Sequence, residues 1–130
     1  MRNVTISMLI VALLTVGVCV FAVNTVEDAC VQTARMGIKA QRLCEAGQTE
    51  QALDGVGEML RCWQAHEALL TAVLPHSAIG EVTQRILEAQ ADLRAGERQT
   101  FLTDMLLIGN LLERLRAEER LRLSNILSIC

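Results

Sequence analysis

The sequence predicts an all-α protein: an N-terminal transmembrane helix that continues into an antiparallel bundle of two tandem αα-hairpins, four helices in all. Three observations carry this expectation. After Arg2 no charged residue occurs until Glu27, and Val4 to Val23 is almost unbroken apolar. Ala, Leu, Glu, Arg and Gln, all good helix formers, dominate the remainder, and Pro75 is the single proline. Two stretches, Leu43–Leu60 and Asp92–Ile108, resemble each other: each carries Ala-Gly, a short polar turn and an apolar pair.

The apolar run holds about 20 residues, enough to cross a bilayer as one helix with every backbone polar group satisfied internally. Arg2 and the amino terminus lie before it, and Glu27 and Asp28 lie after it. The positive-inside rule then puts residues 1–3 in the cytoplasm, residues 4–23 in the cytoplasmic membrane and residues 24–120 outside as the bundle. The rival reading is a cleaved signal peptide, cut after Ala22, where Val20 and Ala22 form a small-x-small pattern. The run exceeds the usual signal core of about 7–15 residues, which favours an uncleaved anchor. Cys19 follows Val18 rather than the small residue a lipobox needs.

No proline stands between Val4 and Ala46, so one continuous helix is expected from the span to Ala46. The second helix is expected over Thr49–Leu74, the third over Ala78–Ala95 with Ser77 as N-cap, and the fourth over Glu97–Glu119. Gly47 and Gly96 each follow a helix and supply the left-handed residue that ends it. Apolar stripes recur with helical spacing: Val26, Cys30, Met36, Ala40 and Cys44; Val56, Met59, Leu60, Trp63, Leu70 and Val73; Ile79, Val82, Ile86 and Leu93; Phe101, Met105, Ile108, Leu112 and Leu115. Facing stripes imply an antiparallel bundle, with Gly37 and Ala40 near the level of Gly57 and Gly55. The offset of the two hairpins departs from the roughly 34 residues of tetratricopeptide repeats.

Residues 121–130 form an apolar tail with Leu121, Leu123, Ile126, Leu127 and Ile129, preceded by Arg114, Arg116, Arg120 and Arg122. Four helices of similar length return this tail to the membrane-proximal end, near Val26 to Cys30. The alternation of Leu121 and Leu123 favours an extended segment folded back over the bundle's open end; the alternative is a contact with anionic headgroups.

Composition limits function. With 15 acidic against 12 basic residues, one Trp, two Phe and no Tyr, the chain offers neither the basic surface nor the stacking platform that nucleic acid requires. His66-Glu67 opens like a zinc-protease motif, but Leu70 stands where the second His must be. His76 beside Pro75 reads as a turn-ordering residue, and Trp63 as a core residue. No Cys-x-x-Cys pair exists, and no cofactor is implied. Cys30 and Cys44 are about 21 Å apart along one helix at about 1.5 Å per residue, too far to bond. Folding at Gly47 brings Cys30 to about the level of Cys62, so this pair is expected to lie within bridging distance; the bland alternative is free thiols acting as small core residues.

The layout resembles a family of short bacterial membrane-anchored proteins classed as a domain of unknown function, DUF4363. The matching features are the N-terminal span, Trp63, His76 followed by Ile79, Glu119, and Leu121-Arg122-Leu123-Ser124-Asn125-Ile126-Leu127. The resemblance implies a bitopic or exported helical protein of Gram-positive bacteria and implies no activity. It does not extend to the cysteines. The expected function is a non-enzymatic interaction or structural module at the outer face of the cytoplasmic membrane, with a protein partner. Trp63, His76, Leu121, Leu123, Asn125, Ile126 and Leu127 are its candidate packing or interaction positions. The alternative class is an enzyme or metal-binding module built on His66, Glu67, His76 and the cysteines.

Overall fold

The structure is a computed structural model that describes residues 1–129; Cys130 lies outside the described residues. Among the described residues it holds four helices and no strand: α1 (Arg2–Glu45), α2 (Thr49–Leu70), α3 (His76–Arg94) and α4 (Arg98–Ile129).

The expected continuity of α1 holds. It runs 44 residues without a break. At Asn24-Thr25 the Thr25 hydroxyl donates to the Phe21 carbonyl at 2.8 Å, so its polar group is absorbed by the preceding turn. α1 then stops at Ala46 because Gly47 takes φ +79°. The Gly47 N–H donates to the Cys44 carbonyl at 3.0 Å and the Gln48 N–H to the Leu43 carbonyl at 2.9 Å, the paired bonds of a Schellman ending. The second hairpin repeats this at Gly96, φ +78°, with Gly96 N–H to Leu93 and Glu97 N–H to Asp92.

The helices form a ring in which α1 packs on α2, α2 on α3, α3 on α4 and α4 on α1, and the diagonal pairs make no close backbone contact among the described residues. Residues 49 apart play the same part. Cys30 and Ile79, Ala40 and Ala89, Cys44 and Leu93, Val56 and Met105, Met59 and Ile108, and Trp63 and Leu112 are all buried. Each large member contributes roughly 1.5–3 kcal/mol by leaving water.

Small residues set the α1–α2 spacing. A Cβ added at Gly55 would lie 3.2 Å from Ala40 Cβ and 3.4 Å from its Cα, so the two backbones meet there. Gly37 receives the tips of Met59 and Met105. Gly57 does not join this contact: its nearest neighbour is Gln90 on α3, at 4.0 Å, two residues round the helix from Gly55.

Three expected boundaries shift. α2 ends at Leu70 rather than Leu74, and residues 71–74 form a turn that still buries Leu74. α3 begins at His76, two residues early, because Pro75 (φ −61°, ψ 145°) is itself the N-cap. The Pro75 carbonyl accepts the Ala78 and Ile79 N–H groups, and Ser77 falls inside the first turn. The tail is not extended: α4 continues through Leu121 and Leu123 to Ile129. Two alternating leucines are too few to outweigh a helix already running and an apolar partner on α1. Its position is as expected, at the end of the bundle where Val26 and Cys30 lie.

The contact at Gly55 yields a test. Gly55→Ala is expected to destabilise the chain by about 1–3 kcal/mol, overpacking exceeding the helix-propensity gain of about 1 kcal/mol. Gly109→Ala, with nothing within 4 Å of the new Cβ, is expected to stabilise it. Chemical denaturation in detergent, followed by helical circular dichroism, measures both.

Candidate functional site

The densest polar arrangement lies where the apolar half of α1 gives way to the bundle. Glu27, one turn beyond Val23, is half-buried against α4. Arg116 Nε donates to Glu27 Oε2 at 3.2 Å and its Nη2 to Oε1; Arg120 Nη2 donates to the two oxygens at 2.8 and 3.0 Å. Arg116 also donates to Glu113 at 2.7 Å. The hydrogen bonds from Arg116 chiefly hold the Glu27 carboxyl below its ordinary 4.5, against the effect of burial, with the charges of Arg116 and Arg120 adding. The same bond raises Arg116.

The other arginines of this end are paired too. Arg122 meets Glu119 at 3.2 Å, and Arg114 lies 3.9 Å from Glu118 and 4.0 Å from Glu81. Glu119 is buried to 6 % exposure at the position where the first hairpin has Leu70, 49 residues earlier. A charged group in a core position is costly unless paired. Beyond this collar of paired arginines and glutamates, Leu123 and Ile126 of α4 line a cleft with Val18, Cys19, Ala22 and Val23 of α1. Leu121, Asn125 and Leu127 face outward.

The remaining candidate residues are dispersed. Trp63 is fully buried, and its Nε1 donates to the Ile79 carbonyl at 3.3 Å, pinning α2 to the start of α3. His76 is exposed on the first turn of α3. His66 Nδ1 lies 2.8 Å from the Cys62 carbonyl of its own helix, and a carbonyl accepts, so Nδ1 donates. Glu67 accepts from the Thr83 hydroxyl at 3.3 Å. Among the described residues, no three His, Cys, Asp or Glu side chains are placed to hold a metal ion. Cys30 and Cys62 are both thiols; Cys62 Sγ lies 3.9 Å from Thr33 Oγ1, one turn along α1 from Cys30. Burial pushes the Cys30 thiol up to about 12, which removes its nucleophilic form at neutral pH.

A second polar feature was not foreseen. Asp104 of α4 approaches Asp92 of α3; with both carboxyls ionised Asp104 Oδ2 is shut from solvent with no donor, and a proton on Asp104 lets the two bond. Burial first, then the hydrogen bond and charge of Asp92 and the charge of Glu88, push Asp104 up to about 6, with Arg85 opposing. Both this pair and the Glu27 clamp join residues of different helices, so spacing along the chain carries no sign of them. An open groove of about 510 Å³ runs between α1 and α2, edged by Arg35, Lys39, Asp54 and Glu58 around Met36 and Leu43.

Comparison with known proteins adds a family to this geometry. The family described as Domain of unknown function (DUF4363) matches residues 20–126, and the chain belongs to it. The match takes in Glu27, Trp63, Arg116, Glu119 and Arg120. No curated protein and no solved structure matches the chain.

Two titrations follow. Glu27→Gln is expected to cost about 1–2 kcal/mol at pH 7, since it removes charge-assisted bonds at a half-buried site. A carboxyl held below its ordinary value stabilises the fold above pH 4.5 and loses that effect as pH falls through the folded value. Wild type and E27Q should converge in acid denaturation curves. Asp104 runs the other way: its contribution is full below 3.8 and is lost as pH rises through about 6. Asp104→Asn should exceed wild type at pH 7 by on the order of 1 kcal/mol after solvent screening, and match it near pH 4.

Proposed function

We propose that the chain is a single-pass membrane-anchored, non-enzymatic helical module whose bundle stands at the outer face of the cytoplasmic membrane and engages a protein partner. The observation that carries this reading is the contrast along α1. From Arg2 onward it is long and apolar enough to cross a membrane, and almost none of its most apolar stretch is buried by the fold. Beyond Val23 the same helix buries Val26, Ala29, Cys30, Thr33 and Ala40 in the ring. One element serves two solvents. The sign of the flanking charges, Arg2 before the run and Glu27 and Asp28 after it, supports an inside amino terminus.

Retention of the span is supported by the cleft under the collar. Cleavage after Ala22 would strip Val18, Cys19 and Ala22 from Leu123 and Ile126, leaving an apolar face of α4 uncovered. An interaction role is supported by what the surface offers, a groove with both signs of charge on its rim.

The test is expression of the full chain in a bacterial host with alkaline phosphatase fused after its last residue. The expected result is phosphatase activity in a carbonate-resistant membrane pellet, with an intact mass that includes residues 1–22. A soluble product beginning at Val23 would replace anchoring with secretion. An inactive fusion in the pellet would reverse the orientation. Crosslinking in native membranes followed by affinity capture should return a defined protein partner bound through the bundle.

A further inference from the structure

The structure places the last turns of α4 beside the apolar half of α1, and this overlap has a consequence. The two helices keep register. Arg98 donates to the Glu45 carbonyl at 3.1 Å, and 18 residues later Arg116 binds Glu27, 18 residues earlier on α1. Leu123 and Ile126 continue the match onto Val18, Cys19, Ala22 and Val23. The same register carries Leu127 to about the level of Val16, roughly 16 Å below Glu27 at about 1.5 Å per residue. A hydrocarbon core of about 30 Å needs about 20 residues of helix. The run from Val4 to Val23 supplies them only if the stretch beside α4 is included. The whole span and the end of α4 cannot occupy different phases.

We propose, resting on the membrane reading above, that Leu121–Ile129 of α4 is a second lipid-embedded element, seated beside the span in the acyl region of the outer leaflet. Four observations support it. From Leu123 to Ile129 there is no charged residue. Leu121 and Leu127 are 63 % and 46 % exposed, beside a span whose own outer residues are equally uncovered. The Ser128 hydroxyl is bonded within the helix to the Asn125 carbonyl at 2.9 Å, which lowers its cost in lipid. Arg122 is the last charge, with a stem long enough to reach the headgroups, and it is paired with Glu119.

The collar decides which lipid is needed. Arg114, Arg116, Arg120 and Arg122 pair with Glu118, Glu113, Glu27 and Glu119, so they form no free basic patch. Seating of the tail is driven by apolar contact and does not require anionic lipid.

The full chain in vesicles carrying lipids brominated on the acyl chains tests this. Trp63, buried in the bundle, gives a built-in unquenched baseline. Leu127→Trp adds an emitter at the tail and Leu13→Trp one in the span; Leu121→Trp repeats the tail measurement at a second exposed position. The added emission of L127W and L121W is expected to fall by at least half, equally in pure phosphatidylcholine and in mixtures with phosphatidylglycerol. Quenching of L13W without L127W and L121W would overturn the proposal and leave the anchor standing. Absence of quenching in all three would overturn the anchor reading and the proposal together. Tail emission shielded from both bromolipid and aqueous acrylamide would show the tail covered by protein, such as a second copy, and would also overturn it. Quenching that appears only with phosphatidylglycerol would overturn the neutral-collar argument.

Discussion

Gly47 and Gly96 each end a helix with the same pair of backbone hydrogen bonds, and the arrangement of the bundle depends on those two bends. A residue with φ near +80° turns the chain back on itself at no steric cost only when it has no side chain. Because the bends lie 49 residues apart, each half of the chain delivers its apolar stripe to the interior at matching heights. The core is consequently a set of paired layers: Ala40 with Ala89, Val56 with Met105, Trp63 with Leu112. The four-helix ring is two copies of one hairpin, and the long-range contacts between α1 and α4 complete it.

One end of the bundle departs from the repeat in its helix lengths and its charges. There α1 runs on as an apolar rod, α4 outlasts its counterpart α2, and Glu119 replaces the aliphatic residue the repeat has in Leu70. The Glu27–Arg116–Arg120 clamp sits at this end as well. At the opposite end the two glycine bends are built alike, but Asp92 and Asp104 stand where the first hairpin has Leu43 and Gly55.

Much of this was legible in the sequence because it is local. The apolar run, the helical stripes and the two Ala-Gly bends are properties of a few consecutive residues, and they gave the helix count, the antiparallel order and the end at which the tail lies. The misreadings came where a local cue had two physical outcomes. Ser77 is a good N-cap, but Pro75, with its fixed φ and missing N–H, took that role two residues earlier. Leu121 and Leu123 alternate as in a strand, yet an ongoing helix with α1 alongside imposed its own period. Gly57 was assigned to the wrong neighbour because a rotation of two residues turns a side chain to another face. The Glu27 clamp and the Asp92–Asp104 pair were invisible for a different reason. Each is made between helices, and every member taken alone looks like a charge on a solvated face.

The clamp also orders events in time. Glu27 is synthesised before its partners Arg116 and Arg120, which come 89 and 93 residues later. α1 and α2 can pair as soon as the Gly47 bend exists, but the side of α1 that packs on α4 stays open until α4 has been made. Closing the ring joins groups 89 and 93 residues apart, so it carries a large loop-closure entropy that the later contacts must offset. A chain interrupted before Arg116 would leave that side of α1 uncovered.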